Sequence, residues 1–196
     1  MRVHLYEGGL TSLVAHSGVG QAICHQRAML AQAEVEQADG WRGRADAVHI
    51  NTVLPDAPLA ALRARLRGET VVWYGHSTME DFRESFVGSN RLAPLFRRWL
   101  CFCYGLADVV VTPTPYSRRI LEGYGLKKPV YALSNGVDTE FFAPDPTRGA
   151  AWRARWQQRP GQKLVISVGH FMERKGILEF IDLARTLPEA RFVWYG

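Results

Sequence analysis

The sequence predicts an α/β protein built on a mostly parallel sheet, and two observations lead to this class. Short runs rich in Val, Ile and Tyr are almost continuously apolar, which is typical of strands buried on both faces. These runs alternate with longer segments of helical character, and such alternation favours right-handed β-α-β units. The strands predicted in the first part of the chain are residues 2–6, 47–51, 70–74, 108–114 and 129–134.

Helical segments fill the intervals between these strands. The predicted helices are residues 19–33, 57–67, 91–106 and 116–123. Because each helix joins two strands of one sheet, residues 1–134 are predicted to form a Rossmann-like N-terminal domain.

The pattern changes after residue 134. The segment "SNGVDTEFFAPDPT" is rich in Asn-Gly, Asp and Pro, which indicates turns. We assign residues 135–160 to an interdomain linker and helix, the helix covering 148–158. A second β-α-β pattern follows within residues 161–196, with strands at 163–169 and 191–196 around a helix at 173–187. A single β-α-β unit cannot bury both faces of its sheet, so we expect the start of an incomplete second Rossmann-like domain and a truncated chain.

Composition narrows the class of protein. The 196 residues are 47% hydrophobic and 22% charged, as in ordinary globular proteins. No apolar run approaches the ~20 residues of a membrane span, and the N-terminus lacks the apolar core of a signal peptide. Three sparse cysteines form neither a disulfide framework nor a common zinc spacing, which favours the cytoplasm.

The net charge is +5 at pH 7, with a pI near 9.3. A basic surface favours nucleic acid, an anionic membrane or a phosphorylated small molecule, and charge alone does not choose among them. No arginine-aromatic pattern resembles a nucleic-acid motif, so we expect no nucleic-acid partner.

His76 is the first candidate site residue. It follows the strand at 70–74, and Ser77-x-x-Glu80 has the pattern of a capping box that starts the next helix. Ligands of open α/β sheets bind beyond the carboxyl ends of strands, so His76 is placed to face a substrate. The alternative is an incidental loop residue beside a capped helix.

The segment "SGVGQ" precedes the first predicted helix. Gly18 and Gly20 allow backbone N–H groups to approach a phosphate or a sugar closely. A nicotinamide-type G-x-G-x-x-G motif also needs glycine at the position of Ile23, and no acidic residue ends a second strand at the expected offset. A dinucleotide-dependent oxidoreductase is therefore disfavoured, and a simple glycine turn is the alternative.

The segment "VGHFMERKG" repeats this arrangement in the second pattern. Gly169 closes a strand, and Arg174 and Lys175 are expected in the first turn of the next helix. Cations there oppose the helix dipole unless an anion such as a diphosphate is bound. The alternative is a solvated pair of basic side chains.

The helix predicted at 91–106, "RLAPLFRRWLCFCYGL", mixes arginines with bulky aromatic residues. Arg91, Arg97, Arg98 and Trp99 are candidates for contact with an anionic lipid surface. The alternative is a helix that faces the core and has a solvated basic side.

These pieces, in this order, resemble glycosyltransferase family 4 of the GT-B fold. Within it, the chain is similar to the bacterial diglycosyl-diacylglycerol synthases, which add a second hexose to a monoglycosyl-diacylglycerol. The segments that carry the resemblance are "SGVGQAICHQ", "VHINT", "GHSTMEDFRESFVGSN", "APLF", "ADVVVTPTPYSRRILEGYG", "SNGVDTEFF" and "VGHFMERKG".

The resemblance implies roles for the candidate residues. Family members have an acceptor-binding N-terminal domain and a nucleotide-sugar-binding C-terminal domain that face one cleft. His76 matches the cleft histidine near the reacting centre, and Gly18 and Gly20 match the loop beside the donor phosphates. Arg174 and Lys175, after Gly169, match the basic pair that holds the diphosphate. The linker motif is matched by Asn135, Gly136 and Asp138.

The implied reaction is retaining transfer of a hexose from UDP-glucose or UDP-galactose to a glycosyl-diacylglycerol, with no metal and no cofactor. The implied location is cytoplasmic, peripheral on the inner face of the cell membrane, with an anionic membrane surface as partner. The family's paired glutamates would lie beyond residue 196, so the chain alone is expected to be inactive. The alternatives are a family 4 enzyme with a polysaccharide or other glycan acceptor, and a non-catalytic lipid- or sugar-binding module.

Overall fold

A parallel sheet organises the first part of the chain in the computed structural model, which describes residues 1–9, 18–38, 40 and 43–196. Its strands are β1 (Arg2–Tyr6), β2 (Glu36–Gln37), β3 (Ala47–Ile50), β4 (Thr70–Tyr74), β5 (Val109–Thr112) and β6 (Val130–Ala132). The helices of this part are α1 (Gly18–Gln32), α2 (Ala57–Leu66), α3 (Met79–Phe82), α4 (Ser89–Gly105) and α5 (Pro115–Glu122).

The strand order is β2-β1-β3-β4-β5-β6, and every pairing between neighbours is parallel. The predicted Rossmann-like α/β class is confirmed. Tyr6 is in register with Ile50, and Ile50 is in register with Trp73. The residues that follow β1, β3 and β4 therefore emerge together at the carboxyl edge of the sheet.

The core lies between β3, β4 and β5 and the helices α2 and α4. Helix α2 turns four alanines toward it at the i, i+3, i+4, i+7 spacing of a helix face: Ala57, Ala60, Ala61 and Ala64. Small side chains allow the helix to approach the sheet closely. Trp73 of β4 is fully buried, meets Tyr104 of α4 edge-on at 6.1 Å, and donates its indole N–H to the carbonyl of Thr52.

One strand of this part was not predicted, and one helix was predicted without its bounds. Strand β2 consists of two exposed polar residues, so it carries no apolar signal. The start of helix α3 was expected from the capping pattern after His76, but the helix is a single turn, too short for a periodic pattern to indicate its bounds.

The chain divides into two compact units, of which the first comprises Met1–Arg83 and Gly88–Val137 and the second comprises Asp138–Gly196 together with Glu84–Val87. The second unit contains α6 (Pro146–Arg155), β7 (Leu164–Val168), a 3-10 turn (Glu173–Lys175), α7 (Ile177–Thr186) and β8 (Arg191–Tyr195). Strands β7 and β8 pair in parallel, which confirms the second β-α-β.

The small sheet of the second unit is covered on one face by α7. Phe180 of α7 meets Phe192 and Trp194 of β8 edge-on, each at 5.2 Å. Ile166 and Val168 of β7 are 49% and 79% exposed. The unit therefore presents apolar strand residues to solvent, as expected of an isolated β-α-β unit.

Within the described residues, no helix is both long enough and apolar enough to cross a membrane.

Candidate active site

The carboxyl edge of the sheet brings several predicted segments together. The chain leaves β1 for β2 on one side and later returns to β3 on the other side, so the strand order reverses between β1 and β3. Ligands of open α/β sheets bind in the crevice outside the carboxyl ends at such a reversal. Asn51 directly follows β3, and His76 follows β4 by two residues.

A tight turn at Gly75 delivers His76 to this edge. The N–H of Gly75 donates to the carbonyl of Val111 at 2.6 Å, and its carbonyl accepts from the Thr112 hydroxyl at 3.0 Å. A Cβ at this position would lie 2.7 Å from Cδ1 of Leu121, a distance that real Cβ contacts do not show. The packing around α5 therefore requires glycine immediately before His76.

The ring of His76 is restrained in plane and at one edge. It stacks on Tyr74 with centroids 5.9 Å apart and planes 20° apart. Its Nε2 lies 3.1 Å from Oδ1 of Asn51. Burial lowers the pKa of His76 to about 4, so the imidazole is neutral at pH 7. A neutral ring offers one donor and one acceptor.

The segment after His76 is capped one residue later than predicted. The Ser77-x-x-Glu80 capping box is wrong, because Thr78 is the N-cap of α3 and its hydroxyl accepts from the N–H of Asp81 at 3.1 Å. The carbonyl of Ser77 instead accepts from the Tyr104 hydroxyl at 2.7 Å. This buried tyrosine ties the turn after His76 to α4.

Tyr124 also anchors the first turn of α3. Its hydroxyl donates to the Glu80 carboxylate and accepts from the N–H of Met79, each at 2.6 Å. Arg97 lies over the Tyr124 ring at 4.9 Å and donates to the carbonyl of Gly123 at 3.2 Å. The guanidinium of Arg97 is thus engaged within the unit.

Asp56 fixes the loop after β1. Its carboxylate accepts from the Tyr6 hydroxyl at 2.7 Å and from the N–H of Gly9. Burial opposes ionisation of Asp56, but these hydrogen bonds outweigh it and lower its pKa. Gly8 has a φ of +90°, so the loop needs glycine there.

The predicted phosphate loop is described only from Gly18 onward, because residues 10–17, including Ser17, lie outside the described residues. Gly18 is the first residue of α1 and is exposed, whereas Gly20 is buried in the first turn. Among the described residues, a Cβ at Gly18 would meet nothing within 4 Å. Their role toward donor phosphates stays a prediction.

The predicted linker motif begins at a half-buried Asn135 and forms two local turns. Gly136 has a φ of +79°, which favours glycine, and its N–H donates to the Ser134 hydroxyl. The Asp138 carboxylate accepts from the N–H groups of Glu140 and Phe141, at 3.1 and 2.8 Å. The motif supplies its own backbone partners, as Asx turns do.

In the second unit, Gly169 follows β7 and is bonded on both sides. Its N–H donates to the carbonyl of Tyr195 and its carbonyl accepts from the Trp194 indole. Arg174 and Lys175 lie in the 3-10 turn and not in the first turn of the helix, because Gly176, with a φ of +78°, separates them from α7. Arg174 is half-buried and Lys175 is exposed.

Helix α4 carries an apolar groove on its outer side, which we call the α4 groove. Its volume is about 630 Å³. It is lined by Phe82, Leu92, Leu95, Phe96, Trp99, Phe102 and Arg98. Phe82 stacks on Phe96 at 4.2 Å, and the Trp99 indole donates to the carbonyl of Val53 at 2.7 Å. Of the predicted membrane-facing arginines, Arg91 and Arg98 are exposed.

Sequence reasoning missed Asn51 and Gln26 as site residues. Both are about 1% exposed, and their amides bond to each other beside His76. The available signal was a polar residue directly after a buried strand, at Asn51. Gln26 gave no signal, because it stands inside a helical pattern.

Comparison with known proteins identifies relatives. Residues 18–141 match the model of Glycosyltransferase Family 4, as the motifs predicted. The whole chain is 38% identical over 197 aligned residues to the processive diacylglycerol alpha-glucosyltransferase of Acholeplasma laidlawii, of which it covers 58%.

Two further relatives act on lipids by name. The alpha-galactosylglucosyldiacylglycerol synthase of Streptococcus pneumoniae is 26% identical over 78% of this chain. A GDP-mannose-dependent alpha-(1-6)-phosphatidylinositol monomannoside mannosyltransferase of Mycolicibacterium smegmatis is 30% identical over 71% of it. The aligned parts cover 41% of each of these two relatives.

Proposed function

Because the chain belongs to glycosyltransferase family 4, we propose that it is the acceptor-binding part, with the start of the donor part, of a retaining hexosyltransferase. The acceptor is a glycosyl-diacylglycerol and the donor is UDP-glucose or UDP-galactose. The relative with 38% identity, named for diacylglycerol glucosyl transfer, supports this acceptor class. Because another relative is GDP-mannose-dependent by name, the donor nucleotide is the part of the proposal that most needs a test.

The observation that carries the proposal is the setting of His76. The side chain stands beyond a strand end beside the reversal of strand order, where α/β sheets bind ligands. It is half-buried and neutral, and Tyr74 and Asn51 hold its ring. A held, neutral imidazole is suited to hydrogen bonding with sugar hydroxyls.

In the proposed reaction, the bond from the anomeric carbon to the diphosphate oxygen breaks and a bond to the acceptor oxygen forms on the same face. The acceptor proton passes to the departing phosphate, so no strong protein base is needed. His76 orients and polarises the sugar and does not abstract a proton. Arg174 and Lys175 stabilise the negative charge of the leaving diphosphate, and this requires no metal.

We propose that the α4 groove faces the membrane. An apolar groove with Arg98 in its lining fits acyl chains below anionic headgroups. Arg91 and Arg98 supply the exposed charges, whereas Arg97 stabilises the first unit through Tyr124 and Gly123. The protein would then be peripheral on the cytoplasmic face.

Vesicle binding tests the membrane part. Co-sedimentation with phosphatidylcholine vesicles that contain phosphatidylglycerol is measured for the 196-residue chain and for Arg98→Glu. Reversing a charge at the surface should weaken binding by about tenfold or more, because each basic side chain near an anionic membrane contributes about 1 kcal/mol. Arg119→Glu is the matched control, an exposed arginine of α5. Equal losses in both variants, or none in Arg98→Glu, would contradict the proposed orientation.

Transfer assays test the enzymatic part. The product of the complete reading frame is incubated with labelled UDP-glucose, UDP-galactose or GDP-mannose and with glucosyl-diacylglycerol or soluble glycan acceptors. We expect transfer from a UDP-sugar to the glycolipid, with retained configuration and without added metal. The 196-residue chain should give no product, because most of the donor site is proposed to lie outside it. Turnover by that chain would refute the proposed location of the donor site. Transfer to soluble glycans only would refute the proposed lipid acceptor.

A further inference from the structure

A pair of buried amides lies behind His76. Gln26 of α1 and Asn51 after β3 are each 1% exposed. Nε2 of Gln26 donates to Oδ1 of Asn51 at 2.7 Å, and Nδ2 of Asn51 donates to Oε1 of Gln26 at 3.1 Å. The two amides satisfy each other, and Oδ1 is the atom of the Asn51 amide that faces the histidine in the structure.

The amide oxygen that faces His76 determines where the ring proton is. Oδ1 of Asn51 lies 3.1 Å from Nε2 of His76, and an amide oxygen only accepts hydrogen bonds. Its two lone pairs serve Gln26 and His76. The hydrogen bond therefore requires that Nε2 of His76 carries the proton, which leaves the lone pair of a neutral ring on Nδ1.

Nδ1 is available to a ligand. Among the residues that the structure describes, the side-chain hydrogen bond of His76 is the one from Nε2 to Asn51. Nδ1 of His76 is not among the buried polar atoms that lack a partner. Tyr74 stacks on the face of the ring and so fixes its plane. The free edge of the ring thus has a defined direction and a defined chemical character.

We propose that Asn51 and Gln26 are positioning residues that hold His76 in the Nε2-protonated form and present Nδ1 as an acceptor for a sugar hydroxyl. The inference rests on the proposed function for the identity of the ligand, but not for the geometry. Burial of two amides is costly unless they are fully bonded, and apolar side chains could fill the same space. The pair is explained by the hydrogen bond that it offers to the histidine.

The first test reads the ring directly. In the 196-residue chain labelled with ¹⁵N-histidine, long-range ¹H–¹⁵N spectra at pH 7 should show His76 with a protonated Nε2 and an unprotonated Nδ1. His76→Gln identifies its signals. A ring protonated at Nδ1 would overturn the proposal.

The second test changes the partner. Asn51→Asp keeps an acceptor and adds a charge, so it should raise the pKa of His76 from about 4 toward or above its ordinary value, since an adjacent carboxylate typically raises it by about 1–3. Asn51→Leu removes the acceptor and should leave the ring in exchange between orientations. Gln26→Leu should do the same more weakly, since it releases the Asn51 amide. An unchanged pKa in folded Asn51→Asp would refute the contact.

The third test links the geometry to catalysis in the product of the complete reading frame. Asn51→Leu should lower kcat by about tenfold to a hundredfold, the usual effect of a misplaced group. If Asn51 acts through His76, the double variant with His76→Phe should be no slower than His76→Phe alone. Multiplying losses would indicate a structural role only. If the product of the complete reading frame transfers sugar but the pKa of His76 does not change in Asn51→Asp, the positioning is refuted. If the pKa of His76 changes in Asn51→Asp but the product of the complete reading frame transfers no sugar, the proposed function is refuted.

Discussion

Gly75→Ala tests how the packing of α5 determines the position of His76. The added Cβ would lie 2.7 Å from Cδ1 of Leu121, 3.5 Å from Cγ1 of Val110 and 3.6 Å from the carbonyl oxygen of Val111. Leu121 and Val110 are fully buried, so neither side chain can move into solvent. The strand end must shift, which strains the 2.6 Å hydrogen bond from Gly75 to Val111.

The magnitude follows from two opposing terms. Overpacking of a buried site costs about 1–3 kcal/mol. Alanine reduces the entropy of the unfolded chain and recovers about 0.4–1 kcal/mol, because Gly75 does not have the positive φ that would disfavour alanine. The expected net loss is about 1–2 kcal/mol.

Urea unfolding followed by far-UV circular dichroism measures this loss as a lower midpoint at an unchanged slope. Gly105→Ala is the control, since a Cβ there meets no described residue within 4 Å, and it should not destabilise. Leu121→Val removes the clashing atom, so in that background Gly75→Ala should cost less than about 0.5 kcal/mol. A Gly75→Ala protein as stable as wild type, or equal costs in both backgrounds, would refute the reasoning.

Three further outcomes can be measured on the same chain. Cys24 is exposed, whereas Cys103 is buried and burial raises its pKa to about 12. A thiol reagent should therefore label Cys24 first and Cys103 only on unfolding. If Cys24→Ser is labelled as rapidly as wild type, this expectation is wrong. Burial lowers the pKa of His49 and of His76 to about 4, below the ordinary 6.5, so each binds a proton on unfolding between these values. Stability should therefore fall as pH drops from about 6.5 to about 4, by up to about 1.4 kcal/mol per pH unit for each histidine, and a flat profile would exclude this. Tyr104→Phe removes the hydroxyl that donates to the carbonyl of Ser77. It should lower the free energy of unfolding in urea by about 1–2 kcal/mol, and no loss would mean that this bond is dispensable.

The parts of the fold that were predictable are those with a strong local pattern. Strands buried on both faces carry continuous apolar runs, so β4 was predicted with its exact bounds, residues 70–74. Strand β2 is formed by exposed Glu36 and Gln37, whose pairing with β1 is decided by tertiary structure. The capping box failed for a related reason: Ser77 and Thr78 are equally good caps locally, and a distant Tyr104 takes the carbonyl of Ser77.

The candidate site was predictable only in part. A histidine after a buried strand indicates the ligand-binding edge of a parallel sheet, so its position made His76 a candidate, and its role stays a prediction. The engagement of Arg97 with Tyr124 could not, because the two residues meet only through the packing of α4 against the residues after α5. Sequence composition gives Arg97 and Arg98 the same character, whereas the structure gives them different surroundings.

The spacing of the amide pair and the histidine explains why the site forms at this edge. Gln26, Asn51 and His76 are successively 25 residues apart. The interval from Asn51 to His76 is one unit of the fold, in which the chain leaves the edge through α2 and returns along β4. Since Ile50 is in register with Trp73, Asn51 stands level with Tyr74 and not with His76. The turn at Gly75, in which the N–H of His76 donates to the carbonyl of Tyr74, closes this gap by folding the ring back over Tyr74. A substitution that opens the turn should therefore separate His76 from Asn51, so Gly75→Ala should also disturb the His76 signals.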